Sequence, residues 1–185
     1  QEAGDIARKN ALKFHLDGAR VFNAAVKLGE PVSAITSLFD TVSICLSKGL
    51  AAPVGSVLVG DSRTISKARR FRKMVGGGMR QAGILAAAGI YALTHHVNKL
   101  TEDHRRAKDL ANALSQMNSL PIVEEPQTNM VILDLSEDRF AQLRTFLESK
   151  GIRVSSQRLV LHLDVDDGDL TKIIDSFWAF DEASK

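Results

Sequence analysis

Cysteine occurs once in the 185 residues, as Cys45, so no internal disulfide framework can staple the chain, and a reducing compartment suits it. Long apolar runs are missing too. None reaches the ~18 residues of a membrane-spanning helix, and no basic segment followed by an apolar one opens the chain. Net charge is almost absent: 24 Lys+Arg against 22 Asp+Glu leave +2, so electrostatics nominates neither nucleic acid nor an acidic membrane as a partner. There is no tandem repeat and no low-complexity stretch. The expectation is a soluble, cytoplasmic protein with no nucleic-acid or membrane partner. A 44% hydrophobic content over this length supports a real core in one or two domains. An initial Met is lacking as well, and roughly ten helical residues precede the first strand. That pattern fits Met removal, or a chain without its N-terminal part.

What is present alternates between strand and helix grammar. Residues 2–12 read as the end of an amphipathic helix, and "KFHLD" (13–17) as a short strand stopped by Gly18. Residues 19–29 have helical spacing, with Gly29 as the stop and Pro31 beyond it. "TVSICL" (41–46) and "VGSVLVG" (54–60) are β-branched strands, and Asp61 is placed to cap a helix running to about Met74. After "GGG" (76–78) comes a long Ala-rich helical stretch, expected to pack one face closely. Thr101 opens the next helix, with its acidic residues in the first turn where the macrodipole favours them. From 120 onward "LPIVEE", "NMVILDL", "IRV" and "RLVLHL" read as strands, 137–149 as a helix closed by Gly151, and 166–180 as a last helix. This is an α/β protein. We expect a larger domain over 1–100 and a small α/β domain over 101–185, divided within the helices at roughly 98–118.

Charge is locally scarce where the chemistry concentrates. Between Asp40 and Asp61 the only ionisable side chains are Cys45 and Lys48, the lysine standing just past a strand in "LSKG". A water-poor environment there would disfavour the ammonium and leave a nucleophilic amine. "HLDGAR" (15–20) likewise ends a strand on Asp17, with Arg20 three residues on. In open α/β sheets, ligands bind at the carboxyl ends of the strands. An acid at one such end and an amine at the next, 31 residues apart, are what pyridoxal phosphate requires: an amine for its aldehyde and an acid for its pyridinium nitrogen. Each feature taken singly also reads as an ordinary turn aspartate or loop lysine.

Four stretches, "HLDGARVFNA", "LSKGLAAPVGSVLVGD", "RKMVGGGMRQAGILAAAGIYAL" and "TNMVIL", closely resemble the low-specificity L-threonine aldolases. These are pyridoxal-phosphate enzymes of the aspartate-aminotransferase-like fold. The resemblance runs in order through residues 13–135 and more loosely to the end. It implies part of a fold type I large domain, mostly parallel sheet with helices, followed by a small α/β domain. It implies cleavage of threonine or allo-threonine to glycine and an aldehyde. It also implies roles: Lys48 as the lysine joined to the cofactor aldehyde, Asp17 at the pyridine nitrogen, and Ser47 holding the lysine loop. Arg20 stands at the cofactor and the substrate carboxylate, Arg158 is a second carboxylate arginine, and Lys73 and Arg80 reach the site, Arg80 at the phosphate across a dimer interface. A homodimer or homotetramer is expected, with no metal.

The departures are informative. Family members are roughly twice as long, and the phosphate-cradling loop and ring-stacking histidine expected from the preceding half have no counterpart here. The missing N-terminal segment is therefore an implied partner. His95, His96 and His104 read as surface or core residues, whereas His162 shares a strand face with Arg158. Ala51 stands where glycine is common, the stretch between Gly151 and Arg158 is short, and Leu161 replaces a more usual threonine. Two other readings remain open: a non-catalytic fragment, and a sister enzyme such as a serine hydroxymethyltransferase or a β-eliminating lyase.

Overall fold

The computed structural model describes residues 2–183 and divides the chain into two compact units, Gln1–Asn98 and Lys99–Lys185. In the first unit, helix α1 (Glu2–Lys9) precedes strand β1 (His15–Asp17), and helices α2 (Val21–Leu28) and α3 (Val32–Thr36) lead to strand β2 (Thr41–Cys45). Strand β3 (Ser56–Gly60) and helices α4 (Ser62–Met74) and α5 (Gly83–His95) follow. The sheet order is β1-β2-β3. β1 and β2 run parallel, with Asp17 opposite Ser43, while β2 and β3 run antiparallel, with Cys45 opposite Ser56. At the end of β1, a Cβ on Gly18 would meet the Ser43 carbonyl oxygen at 2.8 Å. Only glycine lets the chain turn off the strand this close to its neighbour.

Local chemistry explains the boundaries. Asp61 caps α4 by accepting the Thr64 N–H at 2.9 Å, and Gly29 ends α2 at φ 68°. α3 had no sequence signal, because five residues are too few to show a helical period. The close packing expected of the Ala-rich helix does not occur within this chain. α5 buries only Gly89 and Ala92, Gly89 lying against Leu46, while Ile84 is 83% exposed and Ile90 and Tyr91 are also in solvent. α4 buries no residue, and β3 is exposed along its length. This first unit thus leaves several apolar faces uncovered.

The second unit holds the continuous core. Helix α6 (Leu100–Leu114), strand β4 (Met130–Ile132), helix α7 (Glu137–Ser149), strand β5 (Arg158–Val160) and helix α8 (Asp167–Glu182) succeed one another, and β4 pairs antiparallel with β5. α6 presents Leu100, Ala107, Leu110, Ala111 and Leu114 at helical spacing. Leu143 and Leu147 of α7 and Phe177 of α8 meet this stripe over Val131, each burial stabilising by about 1.5–3 kcal/mol. Ser136 caps α7, and Asp166 and Asp169 form a capping box on α8. Two expected strands are irregular instead. "LPIVEE" contributes a single bridge, Ile122 to Leu133; it contains Pro121 and is followed by Pro126, neither of which can donate to a ladder. "IRV" forms no ladder: Ile152 and Val154 pack on the core as side chains only.

Candidate active site

Because β1 and β2 are parallel, they end on the same edge of the sheet. Asp17 is the last residue of β1, and Lys48 lies three residues past the end of β2. Asp17 is exposed. Its Oδ1 accepts the Ala19 N–H at 3.1 Å, a turn bond that leaves the other oxygen to a ligand. Arg20 follows immediately as the N-cap of α2, half-buried at φ −130° and ψ 31°. Ser47 and Lys48 are both exposed, so water reaches the ammonium. The dry surroundings that the charge-poor stretch suggested are not supplied by the described residues.

The lysine loop is nevertheless firmly built. Leu46, Leu50 and Ala52 are buried on either side of Lys48. The Ala51 N–H donates to the Lys48 carbonyl at 2.8 Å, and Ala52 N–H to the Leu46 carbonyl at 3.0 Å, closing the turn. Ala51 takes φ 54°, the left-handed region where glycine has no steric cost, so its substitution for a family glycine is strained rather than neutral. From the end of α5, His96 Nδ1 donates to the Leu50 carbonyl at 2.7 Å, across 46 residues of sequence. Two adjacent histidines after a helix gave no hint of this, since the acceptor is a backbone carbonyl. His96→Ala leaves that carbonyl without its donor, and faster amide hydrogen exchange at Ala51 and Ala52, by about tenfold, is the expected result. His96→Asn, which can still donate, restores protection. Unchanged exchange in the alanine variant would remove His96 from the loop's support.

Lys73 and Arg80 lie on either side of the "GGG" break. A Cβ on Gly78 would sit 2.7 Å from Lys73 Cδ, and one on Gly77 would sit 2.8 Å from Arg72 Cγ, so these glycines make room for basic side chains folding back over the backbone. Arg80 is exposed just beyond, beside Gln81 at φ 50°. Arg158 belongs to the second unit, at the start of β5 opposite Ile132. Asp17, Arg20, Ser47 and Lys48 are therefore gathered at one sheet edge of the first unit, whereas Lys73, Arg80 and Arg158 stand on other elements. No cluster of metal-ligating side chains exists among the described residues, and no helix there is long and apolar enough to cross a membrane.

Asp103, in the first turn of α6, was missed entirely. It is 1% exposed, its Oδ2 has no hydrogen-bond partner, and Arg106 Nη1 stands 3.8 Å from its Oδ1. Burial pushes its carboxyl up to about 6 against the pull of Arg106 and His162. An acid in a first turn looks like an ordinary dipole residue, and that resemblance hid it.

Asp17 and Lys48 thus stand at the ends of adjacent parallel strands, the edge at which open α/β sheets as a class bind their ligands. Residues 1–138 match the beta-eliminating lyase family model, and the chain belongs to that family. It is 43% identical over 183 residues to the low specificity L-threonine aldolase of Escherichia coli K12, covering 97% of this chain and 54% of that protein. It is 41% identical over 186 residues to low-specificity L-threonine aldolase 1 of Arabidopsis thaliana, covering 96% and 52% respectively. The chain thus spans about half the length of the curated relatives it matches. Its fold is similar to that of a serine palmitoyltransferase of S. paucimobilis solved with bound PLP, with a TM-score of 0.73 at 17% identity, covering all of this chain and 50% of that one. The architecture is that of the pyridoxal-phosphate fold type I enzymes.

Proposed function

We propose that this chain is the lysine-bearing part of a pyridoxal-phosphate-dependent lyase that cleaves L-threonine and L-allo-threonine to glycine and acetaldehyde. The observation that carries the reading is the strand-end pair: Asp17 and Lys48 share the carboxyl edge of two neighbouring parallel strands, in the order and spacing of the aldolase motifs. The donor set suits the cofactor. Lys48 offers an amine with no ion pair among the described residues, and Asp17 keeps one carboxylate oxygen outside its turn bond.

When bound, pyridoxal phosphate supplies an aldehyde for the amine and a ring able to accept electrons from Cα. Asp17 holds a proton at the pyridine nitrogen by accepting its hydrogen bond. Arg20 and Arg158 grip the substrate carboxylate with planar forks and so orient the Cα–Cβ bond. Arg80 meets the phosphate, Lys73 supports the substrate side, and Ser47 holds the loop. The net reaction balances within the substrate: the β-hydroxyl loses its proton, the Cα–Cβ bond breaks, and Cα gains a proton. Within this reading the protein is cytoplasmic and homo-oligomeric, and the remaining half of the relatives' length completes the site.

The test is product analysis on the cofactor-loaded protein. Glycine and acetaldehyde released from L-threonine in equal amounts, with no dependence on tetrahydrofolate, is the expected result. Folate dependence would favour a hydroxymethyltransferase. Ammonia and a 2-oxo acid would favour β-elimination, and either outcome would overturn the aldolase reading.

A further inference from the structure

The second unit contains a cavity of about 300 Å³ beside β5, at the small end of the range for ligand pockets. Its wall is apolar, with Leu110 from α6 and Ile173 and Phe177 from α8, and its lining also includes Arg153, Arg158 and His162. The two arginines are unusual for this unit. Residues 99–185 carry 16 Asp+Glu against 11 Lys+Arg, so two arginines lining one cavity are not a by-product of general basicity. Arg105 and Arg106 are tied to Asp167 at 2.6 and 2.8 Å, and Arg139 lies over the Phe180 ring at 4.2 Å. The guanidinium groups of Arg153 and Arg158, both exposed, have no ion pair or hydrogen bond among the described residues.

We propose that this cavity is a binding site for small monocarboxylates with an apolar tail, the carboxylate lying between Arg153 and Arg158 and the tail against Leu110, Ile173 and Phe177. Two unpaired guanidinium forks select an anion and match a carboxylate in geometry. The wall then selects what the anion carries. A second carboxylate or an ammonium would have to shed water against leucine, isoleucine and phenylalanine, which costs far more than placing methylenes there. The volume has room for a tail of about six carbons. Arg153 comes from the short irregular segment after Gly151, so its place on the cavity follows from the missing strand ladder described above. A regulatory consequence rests on the proposed function: a guanidinium engaged by the cavity's ligand is withdrawn from the substrate carboxylate, so these acids compete with threonine through Arg158.

Binding is tested on the chain itself, by methyl NMR titration with butanoate, hexanoate and hexanamide. Hexanoate is expected to shift the methyl signals of Ile173 and Leu110, and to bind more tightly than butanoate by about fourfold for each added CH₂. Arg153→Ala, an exposed position outside the proposed catalytic set, is expected to weaken hexanoate about tenfold and to leave hexanamide unchanged. Equal affinities for hexanoate and hexanamide, or shifts confined to methyls away from the cavity, would overturn the site. In the active holoenzyme, hexanoate should raise the apparent KM for threonine without lowering kcat, and less so in Arg153→Ala. Binding without competition would overturn the regulatory part alone. Binding in a protein that cleaves no threonine would leave the site standing and defeat the proposed function instead.

Discussion

Under the proposed function, Lys48→Ala is expected to lower threonine cleavage by the holoenzyme at least about 10³-fold and to remove the visible absorption band that pyridoxal phosphate would acquire with the wild-type protein, the largest effect expected of any single change. No other lysine can take its place locally, since Lys27 and Lys67 are the nearest in sequence and both lie on helices. The loss will be chemical rather than structural. The Lys48 side chain is exposed, and its turn is closed by the backbone bond from Ala51 and by the burial of Leu46 and Leu50, none of which needs the amine. Lys48→Arg retains the positive charge but not the nucleophile, so it should be equally inactive. Adding methylamine to the alanine variant should restore part of the rate, because a small amine can occupy the space left behind. A Lys48→Ala protein that keeps both band and activity would remove this lysine from the chemistry. The Asp17–Lys48 pairing would then be an accident of strand ends.

The parts of this architecture that were legible in the sequence are those with local causes. Asp61 announces its helix start through its own side-chain oxygens, and Gly29 and Gly151 announce helix ends through positive φ, so the corresponding boundaries follow from single residues. The strand-end acid and amine were legible because turn chemistry marks where each strand stops. Burial was much less legible. The α5 sequence is apolar nearly all round, so its period cannot say which face is covered, and within this chain only Gly89 and Ala92 are. Long-range polar partners were invisible for a different reason. The acceptor for His96 is a main-chain carbonyl 46 residues away, which no side-chain pattern encodes. "IRV" has ideal strand residues, yet propensity expresses fit to a pleated neighbour, and no neighbour pairs with it here. What that irregularity leaves beside β5 is the arginine-rimmed cavity.

Asp103→Asn is expected to stabilise the second unit at neutral pH, and the sign follows from the carboxyl's raised position. Its folded pKa of about 6 lies above the ordinary aspartate value of 3.8, so the folded state binds the proton more tightly than the unfolded chain does. Ionised Asp103 therefore costs stability. The cost is absent below pH ~4, grows as pH rises through the folded pKa, and is complete above it. A separation of roughly two pH units corresponds to about 3 kcal/mol, the penalty for keeping a carboxylate with an unpartnered Oδ2 at 1% exposure. Arg106 at 3.8 Å offsets part of it but is itself drawn toward Asp167, whose Oδ1 its Nε meets at 2.8 Å. Asp167 works in the opposite direction: the Arg105 and Arg106 hydrogen bonds hold its carboxyl below the usual range, so its stabilisation is present at neutral pH and lost on acidification. Comparing wild type with Asp103→Asn cancels that contribution and isolates the buried acid. Denaturant unfolding should show the variant more stable by up to about 3 kcal/mol at pH 7.5, with the difference vanishing near pH 4. A difference that is constant across this range would mean that the substitution acts through packing and that Asp103 titrates normally. A destabilised variant at pH 7.5 would mean that the charge has a partner in the folded protein strong enough to outweigh its burial.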